Sequence, residues 1–214
     1  MMIRLLCLVI GYVFGMFQTS FFYGRRRGVD IRKLGSGNAG TTNALRNFGT
    51  KAGLVVFFGD SLKCVAAVLL VRALFGHAYP DMARLLTVYA GAGCILGHNY
   101  PFYMQFKGGK GIAVTAGLMI TFPHPMTVLG LAAFFLPVIA THYVSLGSLL
   151  LNLVFMVVTV FEGERGMLAS SRAHLTEIYI LVFLIVCMAF LRHRENIRNL
   201  LKGTERKTYL IKKK

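Results

Sequence analysis

Charged side chains are scarce in this chain, and acidic ones are scarcer. Only 15% of the 214 residues are charged, with 8 Asp and Glu against 24 Lys and Arg. A soluble domain carries about a quarter charged residues, so the composition excludes an ordinary water-soluble surface. Metal-binding patterns are missing as well. His77, His98, His124, His142 and His174 are scattered, with no His-x-x-x-His or Glu-x-x-His spacing, which argues against a metal site. The 4 cysteines, Cys7, Cys64, Cys94 and Cys187, all fall in apolar runs. They read as small apolar side chains, not as disulfides or ligands. No Gly-x-Ser-x-Gly elbow occurs, which weakens a hydrolase with a serine nucleophile. Neither a repeat nor a linker is visible, so residues 1–214 read as one domain.

What the chain has in quantity is apolar length. It is 56% hydrophobic, with a mean hydropathy of +0.62. Apolar runs cover Leu5 to Tyr23, Ala52 to Val71, Leu85 to Tyr103, Val144 to Phe161 and Leu175 to Leu191. Each approaches the roughly 20 residues that cross a bilayer as a helix. Two shorter runs, Ile112 to Phe122 and Met126 to Ala140, flank Pro123-His124-Pro125. The first of these is too short to span comfortably; it must tilt, borrow interfacial residues or be partly re-entrant. The opening run lacks an Ala-x-Ala site and is followed by Arg25-Arg26-Arg27, so it reads as a retained helix rather than a leader.

The net charge of +16 would suggest nucleic acid in a soluble protein. Its distribution decides otherwise. With the amino terminus outside, the inner connections hold Arg25, Arg26, Arg27, Arg32, Lys33, Arg46, Lys51, Lys107 and Lys110, and the inner tail holds Arg192 to Lys214. The outer side holds Arg4, Arg72, Arg84, Arg165 and Arg172, offset by Asp81, Glu162, Glu164 and Glu177. The positive-inside rule therefore predicts an all-α integral membrane protein with seven transmembrane helices, amino terminus outside and carboxyl terminus cytoplasmic. The final Lys212 to Lys214 read as attraction to anionic lipid.

Three polar clusters land on the cytoplasmic side of that topology. The first is Gly35-Ser36-Gly37-Asn38-Ala39-Gly40-Thr41-Thr42-Asn43-Ala44-Leu45-Arg46. Glycines let backbone N–H groups converge on one point; Ser, Asn and Thr add neutral donors, and Arg adds a charged fork. The second is Phe106-Lys107-Gly108-Gly109-Lys110-Gly111, and the third is His193-Arg194-Glu195-Asn196-Ile197-Arg198. Gly35-x-Gly37-x-x-Gly40 fits a dinucleotide fingerprint, but no strand precedes it and no βαβ unit has room. The second loop is not a Walker A loop, because Gly111 stands where Ser or Thr should bind magnesium. A plain glycine turn would explain either loop alone. Two such loops with cations on one face point to anion binding. His193 and Asn196 share a face if the last span continues as helix. Gly11-x-x-x-Gly15 and Gly93-x-x-x-Gly97 suit close helix packing. Asp60 and Lys63 share a helix face within the second span, where a structural and a functional role weigh equally.

These motifs resemble those of the bacterial acyl-phosphate:glycerol-3-phosphate acyltransferases, membrane enzymes that move a fatty acyl group from acyl phosphate to glycerol 3-phosphate. The resemblance covers nearly the whole chain and rests on three stretches: the one from Gly35 to Arg46, Gly97-His98-Asn99-Tyr100-Pro101 through Gly111, and His193 through Lys207. Thr41 stands where the family often has Ala, and Cys64 follows Lys63 where Gly is common. The family implies lysophosphatidic acid and inorganic phosphate as products. It also implies no metal or other cofactor, and neither coenzyme A nor acyl carrier protein as direct donor. Partners implied are acyl phosphate from the inner leaflet, glycerol 3-phosphate from the cytoplasm and membrane lipids, with a monomer sufficient. The Asn-His-x-x-x-x-Asp box of coenzyme A-dependent glycerolipid acyltransferases is absent.

Acyl phosphate is a mixed anhydride with a good leaving group, so direct attack by the glycerol hydroxyl suffices. The site must hold two anions together. On the residues available, Arg46, Lys110, His193 and Asn196 hold glycerol 3-phosphate, with Ser36 assisting. Gly37, Asn38, Gly40 and Thr41, with Ser145, hold the acyl phosphate head and the developing oxyanion. Asn43 buttresses the first loop, and Gly35, Gly108 and Gly109 complete the two cradles. His193, Lys110, Ser36 and Asn38 are the expected catalytic groups. His193 has two readings, phosphate ligand or general base, of which phosphate binding is preferred. Glu195 and Glu205 are weaker candidates for orienting nearby cations. From other classes, a transporter or flippase and a partner-recruiting scaffold compete. Scarce mid-membrane polar residues and the lack of an inverted repeat weigh against transport.

Overall fold

The computed structural model describes residues 1–168 and 170–209, so Lys212 to Lys214 lie outside the described residues. Those residues form helices and short turns, with no strand among them. In chain order the helices are α1 (Met2–Met16), α2 (Thr19–Arg25), α3 (Thr41–Phe48), α4 (Thr50–Phe75), α5 (Ala83–Asn99), α6 (Ile112–Ile120), α7 (His124–Thr141), α8 (Val144–Glu164), α9 (Arg172–Arg192) and α10 (Arg194–Leu201). Four helical stretches are long and apolar enough to cross a membrane: Met2–Arg25, Thr50–Phe75, Val144–Glu164 and Arg172–Arg192. Large apolar side chains stay exposed along them, including Leu5, Val9 and Val13 on α1, Phe58, Leu62 and Leu69 on α4, and Phe183 and Leu184 on α9. Only hydrocarbon solvent tolerates such a surface.

Helix α5 lies at the centre, buried nearly all round. It is crossed closely by α1, and the two Gly-x-x-x-Gly pairs face each other there. A methyl on Gly11 would lie 1.9 Å from the Ala90 carbonyl oxygen, and one on Gly93 would lie 2.0 Å from that of Leu8. The backbones touch because neither helix carries a side chain at those points.

The first apolar run is not one continuous helix. It breaks at Phe17 and Gln18, both extended, between α1 and α2. The break is satisfied by polar partners: Gln18 Nε2 donates to the His98 carbonyl at 2.9 Å and Lys63 Nζ donates to the Phe17 carbonyl at 2.5 Å. The Asp60–Lys63 pair does close, at 2.9 Å and buried.

Helix α6 has 9 residues, about 14 Å at 1.5 Å per residue, or about half of a hydrocarbon core near 30 Å thick. Its end is capped in a manner the sequence did not suggest. Arg72 and Arg84 both donate to the Thr121 carbonyl, at 2.7 and 2.8 Å.

Two local expectations are corrected. The first polar cluster is a loop only up to Gly40; Thr41 starts α3, which ends at Gly49, where φ is +87°. The last span does not run straight on through its polar end. His193, at φ −102° and ψ 8°, ends α9 and begins α10.

Candidate active site

Asn43 organises the first loop. It is buried, and its Nδ2 donates to the carbonyls of Ile31, Leu34 and Asn38 at 3.2, 3.0 and 3.0 Å. Its Oδ1 accepts the Ser36 N–H at 3.1 Å. One side chain thereby replaces the ladder that this irregular segment lacks. Gly35 and Gly37 take left-handed φ of +56° and +70°. A methyl on Gly35 would lie 2.4 Å from Asn43 Oδ1, so this glycine shapes the loop.

The second loop comes against the first. Asn38 Nδ2 points at the Gly108 carbonyl at 3.5 Å. Gly109 N–H bonds the His98 carbonyl at 3.0 Å, and Arg192 donates to the Gly109 carbonyl at 2.9 Å. Lys110 then reaches across to Asn196, hydrogen-bonding its Oδ1. The break at His193 turns α10 so that His193 and Asn196 face the same space.

Together these segments enclose a cavity of about 160 Å³. Ser36, Asn38, Gly40, Thr41, Asn43, Arg46, Lys110, Ser145, His193 and Asn196 all line it. Gly35, Gly37, Gly108 and Gly109 do not; they stand behind the wall and set the path of the two loops. The apolar part of the lining runs between α4, α6, α7 and α8, with Phe57, Ala116, Leu131, Phe134, Phe135 and Leu151. One end of the cavity therefore presents cations and amides, and the other presents hydrocarbon.

Electrostatics at the polar end follow from burial. Desolvation holds the Lys110 ammonium below its ordinary pKa, partly offset by the Glu205 carboxylate. His193 is 3% exposed. Burial, then Lys110, push its pKa down to about 4, so the ring is neutral at pH 7. Its Nδ1 lies 2.8 Å from the Ala189 carbonyl, which can only accept. Nδ1 therefore carries the proton, and Nε2 keeps a lone pair.

Several lining groups escaped the sequence reading. Glu205 was expected only to orient cations. Its Oε1 instead accepts from Ser145 Oγ and Asn196 Nδ2, both at 2.7 Å. The tail after α10 folds back over the site: Arg46 donates through Nε to Thr208 Oγ1 at 3.0 Å and through Nη2 to the Arg206 carbonyl at 2.9 Å. Thr208 is buried, and its N–H bonds the His142 carbonyl at 2.8 Å. The available signal was the third motif, which runs on past Glu205. Asp60 and His98 also line the cavity. His98 was read as one scattered histidine among several, although it stands in the second of the three family-like stretches.

The match to known proteins spans the whole arrangement. The glycerol-3-phosphate acyltransferase family profile fits residues 5–203. A glycerol-3-phosphate acyltransferase of Clostridioides difficile (strain 630) is 39% identical over 204 residues, 93% of this chain and 92% of that protein. One from Rubrobacter xylanophilus is 38% identical over 207 residues, 96% of each. The fold is similar to the crystal structure of PlsY (YgiH), an integral membrane glycerol 3-phosphate acyltransferase, in its glycerol 3-phosphate form. There the TM-score is 0.80 at 27% identity, over 96% of each chain. The lysophosphatidic acid form of PlsY gives 0.78 at 26% identity, over 97% of this chain and 96% of that one. The chain belongs to the glycerol-3-phosphate acyltransferase family and is an integral membrane acyltransferase.

Proposed function

We propose that the protein transfers a fatty acyl group from acyl phosphate to the 1-hydroxyl of sn-glycerol 3-phosphate, the first acylation of phospholipid synthesis. The observation that carries this reading is the two-ended cavity. Its cationic end suits phosphate and its apolar end suits an acyl chain. Membership of an acyltransferase family sets transport and partner recruitment aside.

The chemistry needs little covalent help. The glycerol oxygen attacks the acyl carbon, the bond from that carbon to the phosphate oxygen breaks, and inorganic phosphate leaves with lysophosphatidic acid formed. No acyl-enzyme is required. The hydroxyl proton passes to a phosphate oxygen of the substrates. His193, whose pKa burial holds near 4 without substrate, is read as a phosphate ligand in preference to the general base. An arriving phosphate raises that pKa, so His193 binds glycerol 3-phosphate as a cation beside Arg46, Lys110 and Asn196, with Ser36 assisting. Asn38, Gly40, Thr41 and Ser145 hold the acyl phosphate head and its oxyanion. Two unit negative charges 5 Å apart repel by about 3 kcal/mol at an effective dielectric of about 20. Dianions repel more, which is why several cations converge.

We further propose seven membrane-crossing segments, amino terminus outside, with the cavity opening to the cytoplasm of a bacterial cell membrane. Support comes from the charge count and from the sorting of helix ends. Arg4 on α1 and Tyr89 on α5 both donate to Glu177 on α9, at the ends of those helices remote from the cavity. The basic connections share the cavity end. Residues 1–214 act as one domain, and a monomer holds the complete site.

The deciding assay uses purified protein in detergent with glycerol 3-phosphate and either acyl phosphate or acyl coenzyme A. Phosphate release and lysophosphatidic acid with acyl phosphate alone are expected. Turnover with acyl coenzyme A, or none with either donor, rejects the proposal.

A further inference from the structure

Beneath Lys110 lies a buried charged group that the reaction above does not use. We infer that Lys63, Asp60 and His98 form a positioning network that holds the Gly108–Gly109 backbone and so aims Lys110 into the anionic end of the cavity. This rests on reading that end as the glycerol 3-phosphate site.

The network is saturated on one side. A lysine ammonium has three N–H donors and no acceptor. Lys63 Nζ meets Asp60 Oδ1 at 2.9 Å, the Phe17 carbonyl at 2.5 Å and His98 Nδ1 at 2.9 Å. Each donor has one acceptor. His98 Nδ1 must then hold a lone pair, which leaves the proton on Nε2. Asp60 Oδ1 is itself tied to Thr19 Oγ1 at 2.9 Å. The imidazole is thereby held in one orientation by three helices and the break in the first span.

That orientation fixes the loop. A methyl on Gly109 would lie 2.0 Å from His98 Nε2 and 2.8 Å from Cε1, so the ring edge lies flat against the Gly109 backbone. The His98 carbonyl takes the Gly109 N–H at 3.0 Å and the Gln18 amide at 2.9 Å. Arg192 donates to the Gly109 carbonyl, on the next peptide, at 2.9 Å. Past Lys110, Ser61 Oγ donates to the Ala113 carbonyl at 2.8 Å. The α4 segment 60–63 therefore supports the Lys110 loop before and after the lysine. A pair that merely joined helices would not need the ring edge, nor a residue without a side chain opposite it.

The test uses the full chain in detergent and three variants. Gly109→Ala forces the ring and loop apart and is expected to lower kcat/KM by about a hundredfold, mainly through KM for glycerol 3-phosphate. His98→Asn keeps an acceptor for Lys63 and removes the clashing edge, so Gly109→Ala combined with His98→Asn is expected to recover most of that loss. Lys63→Met should raise KM for glycerol 3-phosphate while leaving KM for the acyl donor unchanged. Wild-type kinetics for Gly109→Ala, a double variant no better than the single, or an unchanged KM in Lys63→Met would each overturn the network. If Gly109→Ala does not fold, His98→Leu against His98→Asn poses the same question, with Asn expected to outperform Leu. If the wild-type protein transfers no acyl group, the functional reading fails on its own. The network is then decided by affinity for inorganic phosphate, expected to fall in the order wild type, double variant, Gly109→Ala; any other order rejects it.

Discussion

The Lys110 ammonium hydrogen-bonds the side-chain oxygen of Asn196, joining the second and third polar clusters across 86 positions of sequence. The contact places a half-buried cation and a neutral amide side by side, so the lysine is available to a phosphate without a carboxylate directly neutralising it. Lys110→Ala removes that charge and is expected to lower kcat/KM by at least about a hundredfold. Steady-state kinetics in reconstituted membranes check this, and wild-type-like values would take Lys110 out of the site.

Arg46 depends on the tail. Its guanidinium is held by Thr208 and the Arg206 carbonyl, so fork geometry matters as well as charge. Arg46→Lys should fail to support turnover, because a point charge cannot reproduce two planar donors. Thr208→Val should raise KM for glycerol 3-phosphate about tenfold, the cost of one hydrogen bond to a charged group. A chain cut after Lys207 should behave like Thr208→Val. Normal kinetics in the cut chain would show the tail to be dispensable.

His193 makes stability pH-dependent. Its pKa is lowered from 6.5 to about 4, chiefly by burial. Between those values the unfolded chain binds the proton and the folded chain does not. Its contribution is therefore complete above about pH 6.5 and is lost as pH falls towards 4, by about 3 kcal/mol in all. The thermal midpoint of the substrate-free protein should drop over that window, and less steeply in His193→Gln. Equal slopes would contradict the buried neutral ring. Kinetics of the same variant divide its roles: a raised KM for the acceptor supports phosphate binding, whereas a lowered kcat supports base chemistry.

The α1–α5 contact should be the least tolerant place in the bundle. Gly93→Ala drives a methyl to 2.0 Å from the Leu8 carbonyl oxygen. Separating the two backbones is expected to cost about 2 kcal/mol, read as a lower thermal midpoint. A midpoint unchanged by Gly93→Leu would mean that the helices do not touch there.

Much of this molecule was legible beforehand because membranes impose simple rules. A long apolar run must be helical, since hydrocarbon offers the backbone no partners. Paired small residues mark a close crossing, and Gly11, Gly15, Gly93 and Gly97 all take part in one. Asn43 as a buttress was legible because an amide offers both donors and an acceptor to an irregular loop. The break at Phe17–Gln18 was not, because its stability comes from Lys63 and His98, which lie far along the chain. For the same reason Glu205 and Thr208 were undervalued; their partners Ser145 and Arg46 are distant in sequence.

Composition, long apolar runs and three local motifs thus determined by themselves that the chain lives in a bilayer, is helical and belongs with the glycerol-3-phosphate acyltransferases. Each of those properties depends on short-range patterns or on sums along the chain. Only the tertiary structure decided which side chains share the cavity, which proton His193 keeps, and that the tail closes over Arg46. Those outcomes depend on distances between residues that the linear order does not specify, and on burial, which shifts a charge only after the helices have packed.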